Sequence, residues 1–226
     1  MDQVAAHFDQ IGEQYDSYKK KNWYYYNQVK RLYREYIAAG LSVLEIGCGT
    51  GDVLAALEPK FGIGIDISKE LIACANKKYS LHKNLTYISG DCTNYIDQFH
   101  NDVFDFIFMS DVIEHLDDVG LMVKTISQIC SQNTKVVISM ANPLWEPLLL
   151  VLEKLGLKMP EGPHHRISGK KLEKILQHYN LCIEERGERV LIPAPLPGAD
   201  WVNKYFYKIP LFKKIGLIQY WICKPC

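Results

Sequence analysis

Three glycines alternate over five positions in Val43-Leu-Glu-Ile-Gly47-Cys-Gly49-Thr-Gly51-Asp52, directly after an apolar run that ends in an acid. Val43, Leu44 and Ile46 have the β-branched, apolar character of a strand buried on both faces. Glycine at 47, 49 and 51 lets the backbone turn tightly and approach a ligand without a Cβ in the way. The segment is therefore the entry strand and first turn of a nucleotide-binding α/β sheet. A dinucleotide fingerprint would place its third glycine at position 52, where Asp52 stands, so that motif is incomplete.

Periodicity extends the sheet along the chain. Helical spacing covers 4–20 and 22–39, the second closed by Gly40 as a C-terminal cap. Strands are expected at 42–46, 61–66, 84–89, 103–109 and 134–140. Helices are expected at 51–58, at 68–79 with Ser68 as N-cap, and near 119–131. This alternation predicts a parallel sheet with right-handed crossovers. Beyond Asn142-Pro143 the pattern changes to an apolar helix over 145–156, a loop from Lys158 to Arg166, a helix over 168–179 and strands at 181–186 and 217–223. One domain, 1–226, is expected: a helical cap over 1–40, a cofactor-binding core over 41–140 and a substrate-side half over 141–226. The last part includes an aromatic insertion over 193–216.

Charge narrows the partners. The 226 residues carry 26 basic and 26 acidic side chains, which argues against a nucleic-acid binder held by a broad basic field. Met1-Asp2-Gln3 lacks the basic and apolar regions of a signal peptide, and no apolar run reaches the ~18–20 residues that span a bilayer. A cytoplasmic protein is expected. The seven cysteines are expected to be reduced thiols, mostly buried. Cys223-Lys-Pro-Cys226 is a poor zinc motif without a second pair, and it lacks the aliphatic residues of a prenylation box.

Glu45-Ile-Gly47-Cys-Gly49-Thr-Gly51, followed by the ordered motifs after strands two, three and four, resembles the class I S-adenosylmethionine-dependent methyltransferases. The resemblance implies a Rossmann-like methyltransferase fold: a doubly wound, mainly parallel seven-stranded sheet with an N-terminal helical cap. It implies S-adenosyl-L-methionine as cofactor, held by Gly47, Cys48 and Gly49. Asp66 lies ~20 residues past the turn, where an acid accepts two hydrogen bonds from ribose hydroxyls. Asp91 with the backbone of Cys92 matches the adenine-amino site, and Ile67 the adenine face. Glu45 matches the residue that receives the cofactor amino group. Tyr15 matches a tyrosine that covers its carboxylate, and Ser110 begins the turn beside its methionine part. All three acids also have plain structural readings: Asp66 as a strand-end surface acid, Asp91 as a helix cap, Glu45 as an ion-pair partner.

Two further stretches, Asp111-Val-Ile-Glu114-His115 and Pro160-Glu-Gly162-Pro163-His164, resemble motifs of the O-methyltransferases of ubiquinone biosynthesis. Pro163 and His165-Arg166 depart from that pattern, and residues 187–226 do not match it closely. The resemblance implies O-methylation of a small, hydrophobic or aromatic hydroxylated molecule. An oxygen nucleophile must lose a proton, and a histidine titrating near neutrality suits that task. His115 and His164 are the candidate bases, with Trp145 and His165 expected on the substrate side. Asp111, Glu114 and His115 form an alternative set that would ligate a divalent cation. His7, His82, His100 and His178 are expected to be structural or at the surface. The competing readings are N-methylation of a small molecule, a nicotinamide-dependent oxidoreductase, and a cofactor-binding module without chemistry.

Leu148-Leu-Leu-Val-Leu152, flanked by Leu144, Leu155 and Leu157, reads as a buried or lid-forming core helix. Downstream, Trp201, Tyr205, Phe206, Tyr207 and Phe212 interleave with Lys204, Lys208, Lys213 and Lys214. Together the two segments are expected to form a hydrophobic entrance with peripheral membrane contact.

Overall fold

The computed structural model describes residues 2–95, 99, 104–160, 162–165, 167–206, 209 and 214–226. Its seven strands form one sheet in the order β3-β2-β1-β4-β5-β7-β6. The parallel strands are β1 (Ser42–Ile46), β2 (Phe61–Asp66), β3 (Leu85–Ser89), β4 (Phe106–Ser110) and β5 (Lys135–Ala141). The side chains of β1, β2, β4 and β5 are almost continuously buried, as strands covered on both faces require, whereas the edge strand β3 buries only Tyr87. β7 (Ile218–Pro225) inserts antiparallel between β5 and β6 (Leu181–Arg189). The observed sheet is thus the mainly parallel seven-stranded one expected.

Helices α1 (Asp2–Lys21) and α2 (Trp23–Tyr36) precede the sheet. α2 ends at Ile37 rather than at Gly40, which turns in the left-handed region three residues later. The short α3 (Asp52–Ala56) follows the glycine turn, and α4 (Lys69–Lys78) starts at Ser68, whose Oγ accepts from Leu71 N as expected of an N-cap. α5 (Val119–Ile129) returns the chain to β5. Next come α6 (Glu146–Lys154) and α7 (Gly169–His178), and α8 (Ala199–Tyr205) forms inside the aromatic insertion. The core lies in two layers. One packs α5 and α7 against the sheet, and the other packs α2, α3 and α4. Tyr33 shows how firmly α2 is fixed: its hydroxyl is buried and donates to Met109 O at 2.6 Å on β4.

Two expectations are corrected. Cys182 and Cys226 form a disulfide joining the start of β6 to the end of β7, so these two cysteines are not free thiols. The other five are free, and Cys48, Cys92 and Cys223 are buried. The two antiparallel strands bring residues 44 apart into bonding range, a pairing that neither cysteine's local sequence reveals. α6 is also not a core helix, since none of its residues is buried. Leu148, Leu150 and Val151 on it, and Leu144 and Leu155 beside it, face solvent.

His100, Tyr207, Lys208, Phe212 and Lys213 lie outside the described residues, as do Glu161 and Arg166 of the loop after α6. No described helix is long and apolar enough to cross a membrane.

Candidate functional site

The carboxyl ends of β1, β2 and β4 open into a cavity of about 550 Å³, roofed by α1 and α2. A parallel α/β sheet places its ligand crevice at this end. Gly47 sits at φ +74°, and a Cβ there would collide with the Val112 side chain; Gly49, at φ +53°, faces the Tyr15 hydroxyl. Both positions therefore require glycine for conformation and for space. The turn is pinned from below. Gly47 N and Cys48 N donate to Ile65 O, and Gly49 N donates to Asp66 Oδ2 at 2.7 Å.

Most of the expected cofactor residues converge here. Tyr15, Glu45, Gly47, Cys48, Asp66, Ile67, Asp91, Cys92 and Ser110 all line the cavity, with Gly49 on its floor beneath Tyr15. Asp66 also accepts from Ser68 N at 2.9 Å through Oδ1. Two backbone donors fix its orientation and leave lone pairs for a ligand. Burial raises the Asp66 pKa, and those two amides oppose the rise. Asp91 takes both of its readings at once. It caps a 3₁₀ turn by accepting from Thr93 N at 2.9 Å, and it lines the cavity. Glu45 accepts from Leu54 N at 3.1 Å, and burial pushes its carboxyl well above the ordinary range.

The sequence reading missed several lining residues. Lys19, on α1, stacks 4.6 Å over the Tyr15 ring and stands 3.4 Å from Asp52 Oδ2. Although burial works the other way, Lys19 and Lys78 hold Asp52 down at about 2. α1 is fastened over the glycine turn by Thr50 Oγ1 donating to Asp16 and by Ser68 Oγ donating to Asp9. Tyr25 and Tyr26 of α2 line the cavity too. The run of aromatics at 23–26 was visible, but which face of α2 meets the cavity is set by packing.

The turn after β4 supplies the other half of the cavity. Asp111 adopts φ +54°, a conformation uncommon for a non-glycine residue, which turns the chain sharply after the strand. Its Oδ2 accepts from Tyr25 Oη at 2.8 Å. Asp111 Oδ1 and Glu114 Oε2 are both shut off from solvent with no hydrogen-bond partner among the described residues. Burial raises both carboxyls, and Asp111 raises Glu114 further. Lys158 lines the same space, with its ammonium pKa lowered by burial.

His115 also lines the cavity, edge-on to Phe8 at 5.5 Å. Its Nδ1 lies 3.0 Å from Pro163 O, and a carbonyl can only accept. The proton therefore sits on Nδ1, and Nε2 is the basic atom. Burial lowers the His115 pKa and favours the neutral ring. His164, by contrast, lies outside the main cavity. Its Nε2 meets Glu146 at 3.3 Å and its Nδ1 meets Gly162 O at 3.1 Å. It lines a small neighbouring pocket with Glu114, Glu146 and His165. His165 is exposed, 3.8 Å from Asp117. Trp145 donates to Ile215 O at 2.9 Å and is likewise absent from the cavity wall. No group of three His, Cys, Asp or Glu side chains among the described residues is placed to hold a metal ion. Asp111, Glu114 and His115 are neighbours in sequence, but Asp111 is engaged by Tyr25 and His115 by Pro163 O, so a divalent cation is not supported.

Similarities to known proteins agree with this geometry. Residues 18–186 match the model of a family described as a methyltransferase domain. The ubiquinone biosynthesis O-methyltransferase of Bradyrhizobium diazoefficiens is 30% identical over 165 residues, covering 68% of this chain and 63% of that protein. The protein of the same name from Rhodopseudomonas palustris strain HaA2 is 28% identical over 166 residues, covering 69% and 64%. The matched region thus spans a little under two thirds of these relatives. Among solved structures, a possible histamine N-methyltransferase from Thermotoga maritima superposes with a TM-score of 0.72 at 16% identity, covering 97% of this chain and 98% of that one. Magnesium protoporphyrin IX methyltransferase from Synechocystis PCC 6803, with bound S-adenosylhomocysteine, gives 0.70 at 16% identity, covering 99% and 98%. At such identities the two structures share the fold.

Proposed function

Because the chain belongs to the methyltransferase family, we propose that it moves a methyl group from S-adenosylmethionine to an oxygen of a small, hydrophobic or aromatic hydroxylated molecule. The observation that carries this reading is the cradle itself. The Gly49 amide is pinned by Asp66, and Glu45, Asp91 and Lys19 stand around one cavity. These residues fit a zwitterionic adenosyl ligand group by group. Asp66 would receive the ribose hydroxyls, and Asp91 with the Cys92 backbone the adenine amino group. Ile67 would pack on the adenine face, with Glu45 receiving the ligand ammonium. Lys19 and the Tyr15 hydroxyl would meet its carboxylate. When bound, the cofactor supplies an electrophilic methyl carbon on a leaving group that departs neutral.

The remaining work falls to this chain's own residues. Alignment of acceptor and donor in one cavity supplies most of the rate. Apolar walls from Leu149, Leu152 and Leu157 exclude water from the acceptor side. His115 takes the hydroxyl proton at Nε2, because Pro163 O fixes its tautomer and burial keeps it neutral. His164, tied to Glu146, acts on the loop that carries Pro163 rather than on the acceptor.

The entrance supports a hydrophobic acceptor and peripheral membrane contact. Leu144, Leu148, Val151, Leu155, Leu196 and Trp201 are all exposed, with Lys204 stacked over Tyr205 beside them. Exposed apolar side chains and a lysine stacked on a ring suit an interfacial surface.

Isothermal calorimetry with S-adenosylhomocysteine and, separately, with a nicotinamide dinucleotide tests the reading. Micromolar binding of the first alone is expected. Binding of the second alone would overturn it.

A further inference from the structure

The acceptor side of the cavity holds two buried carboxyl oxygens that a single uncharged hydroxyl cannot both answer. Asp111 Oδ1 and Glu114 Oε2 are buried without a donor among the described residues, and both side chains line the cavity. Tyr25 answers one oxygen of Asp111 and no more. A buried carboxyl oxygen without a donor is costly, so such atoms mark where a ligand donor belongs. One hydroxyl can answer only one of the two. The field of the Lys158 ammonium reaches both acids, yet burial still holds both carboxyls above their ordinary range, and a cation seated between them would let both ionise. His115 is neutral and adds nothing to the balance. Tyr25, Tyr26 and Phe8 add aromatic rings to the cavity wall. The faces of such rings attract a cation and repel an anion.

Resting on the methyltransferase reading above, we propose that the hydroxylated acceptor also carries a protonated nitrogen, and that Asp111 Oδ1 and Glu114 Oε2 receive its N–H groups. An ammonium has three donors, enough for both orphaned oxygens with one to spare. The acid pair selects the acceptor by charge, and the leucines of α6 select it by apolar bulk. The amine is a recognition group here, and the transferred methyl goes to oxygen, so the nitrogen stays charged throughout.

The test uses the whole protein saturated with S-adenosylhomocysteine and two probes of matched shape, 4-phenylbutylamine and 4-phenylbutan-1-ol. Calorimetry is expected to show the amine binding at least ~10-fold tighter, the range for a charge-assisted hydrogen bond. Glu114→Gln, and separately Asp111→Asn, are expected to reduce that preference to less than about threefold, each compared at its own saturating cofactor product. Equal binding of the two probes to the unaltered protein would overturn the proposal. So would a preference that survives both substitutions. An amine preference lost together with selective weakening of S-adenosylmethionine over S-adenosylhomocysteine would reassign the pair to the sulfonium and also overturn it. Failure of S-adenosylhomocysteine to bind the unaltered protein would instead defeat the methyl-donor reading. Thermal unfolding of each variant, with and without S-adenosylhomocysteine, separates a lost site from a lost fold. If one variant does not fold, the other carries the test.

Discussion

The Tyr25 hydroxyl donates to Asp111 Oδ2 at 2.8 Å, across 86 positions of sequence. This bond joins the helical cap to the turn after β4 and closes the cavity between them. Tyr25→Phe removes the donor and leaves both carboxyl oxygens of Asp111 unanswered. A loss of about 1–3 kcal/mol in unfolding free energy is expected. Urea unfolding of the two proteins checks it, and a difference within experimental error would show that the bond does not hold the cap.

Glu114 gives the protein a pH dependence with a definite sign. Burial first and the Asp111 charge second raise its carboxyl in the folded state. The native protein then holds this proton more tightly than the unfolded chain does. Stability from this group is present at acid pH and is lost as pH rises from about 4.5 towards the raised folded value. Glu114→Gln stays neutral throughout. The variant is expected to lose less stability than the parent between pH 5 and pH 8, by at least about 1.4 kcal/mol. Parallel pH curves for the two proteins would contradict the burial of this group.

Asp66→Asn keeps the shape of the side chain and removes its charge. Gly49 N and Ser68 N would then face an amide that has only one accepting oxygen. S-adenosylhomocysteine affinity is expected to fall by about 10–100-fold through loss of charge-assisted hydrogen bonds. Calorimetry measures this directly, and unchanged affinity would remove Asp66 from the site.

Cys226→Ser opens the loop closed by the bond to Cys182. A closed loop of 44 residues corresponds to about 4 kcal/mol of denatured-chain entropy. The midpoint of thermal unfolding is expected to fall by about 8–16 °C. The parent protein in excess reductant should fall by a similar amount. A midpoint indifferent to both treatments would show that β6 and β7 need no staple.

Leu148→Glu together with Val151→Glu places two charges on the exposed face of α6. Flotation with anionic liposomes is expected to recover the parent protein with the lipid and the variant in the soluble fraction. Equal partition of the two would remove α6 from any membrane contact.

The sequence alone determined the sheet and which residues at its strand ends line the cavity. Val43 to Gly51 could be read because strand burial, glycine conformation and the acid at position 66 are local demands, each written within one βα unit. Asp91 and Ser110 followed from the same rule, since strand ends in a parallel sheet all face one crevice. The acceptor side was decided by tertiary structure. The sequence listed Asp111, Glu114 and His115 together, yet Tyr25 and Pro163, far away in the chain, engage Asp111 and His115 separately, and no described metal cluster forms. Lys19 looked like any surface lysine until α1 folded it over Tyr15. The apolar run at 148–152 carried no sign of whether it lay inside or out. The disulfide, the exposed face of α6 and the orphaned oxygens arise from contacts between segments distant in sequence. Residue pattern fixes which face of an element is apolar, and only assembly fixes what that face meets.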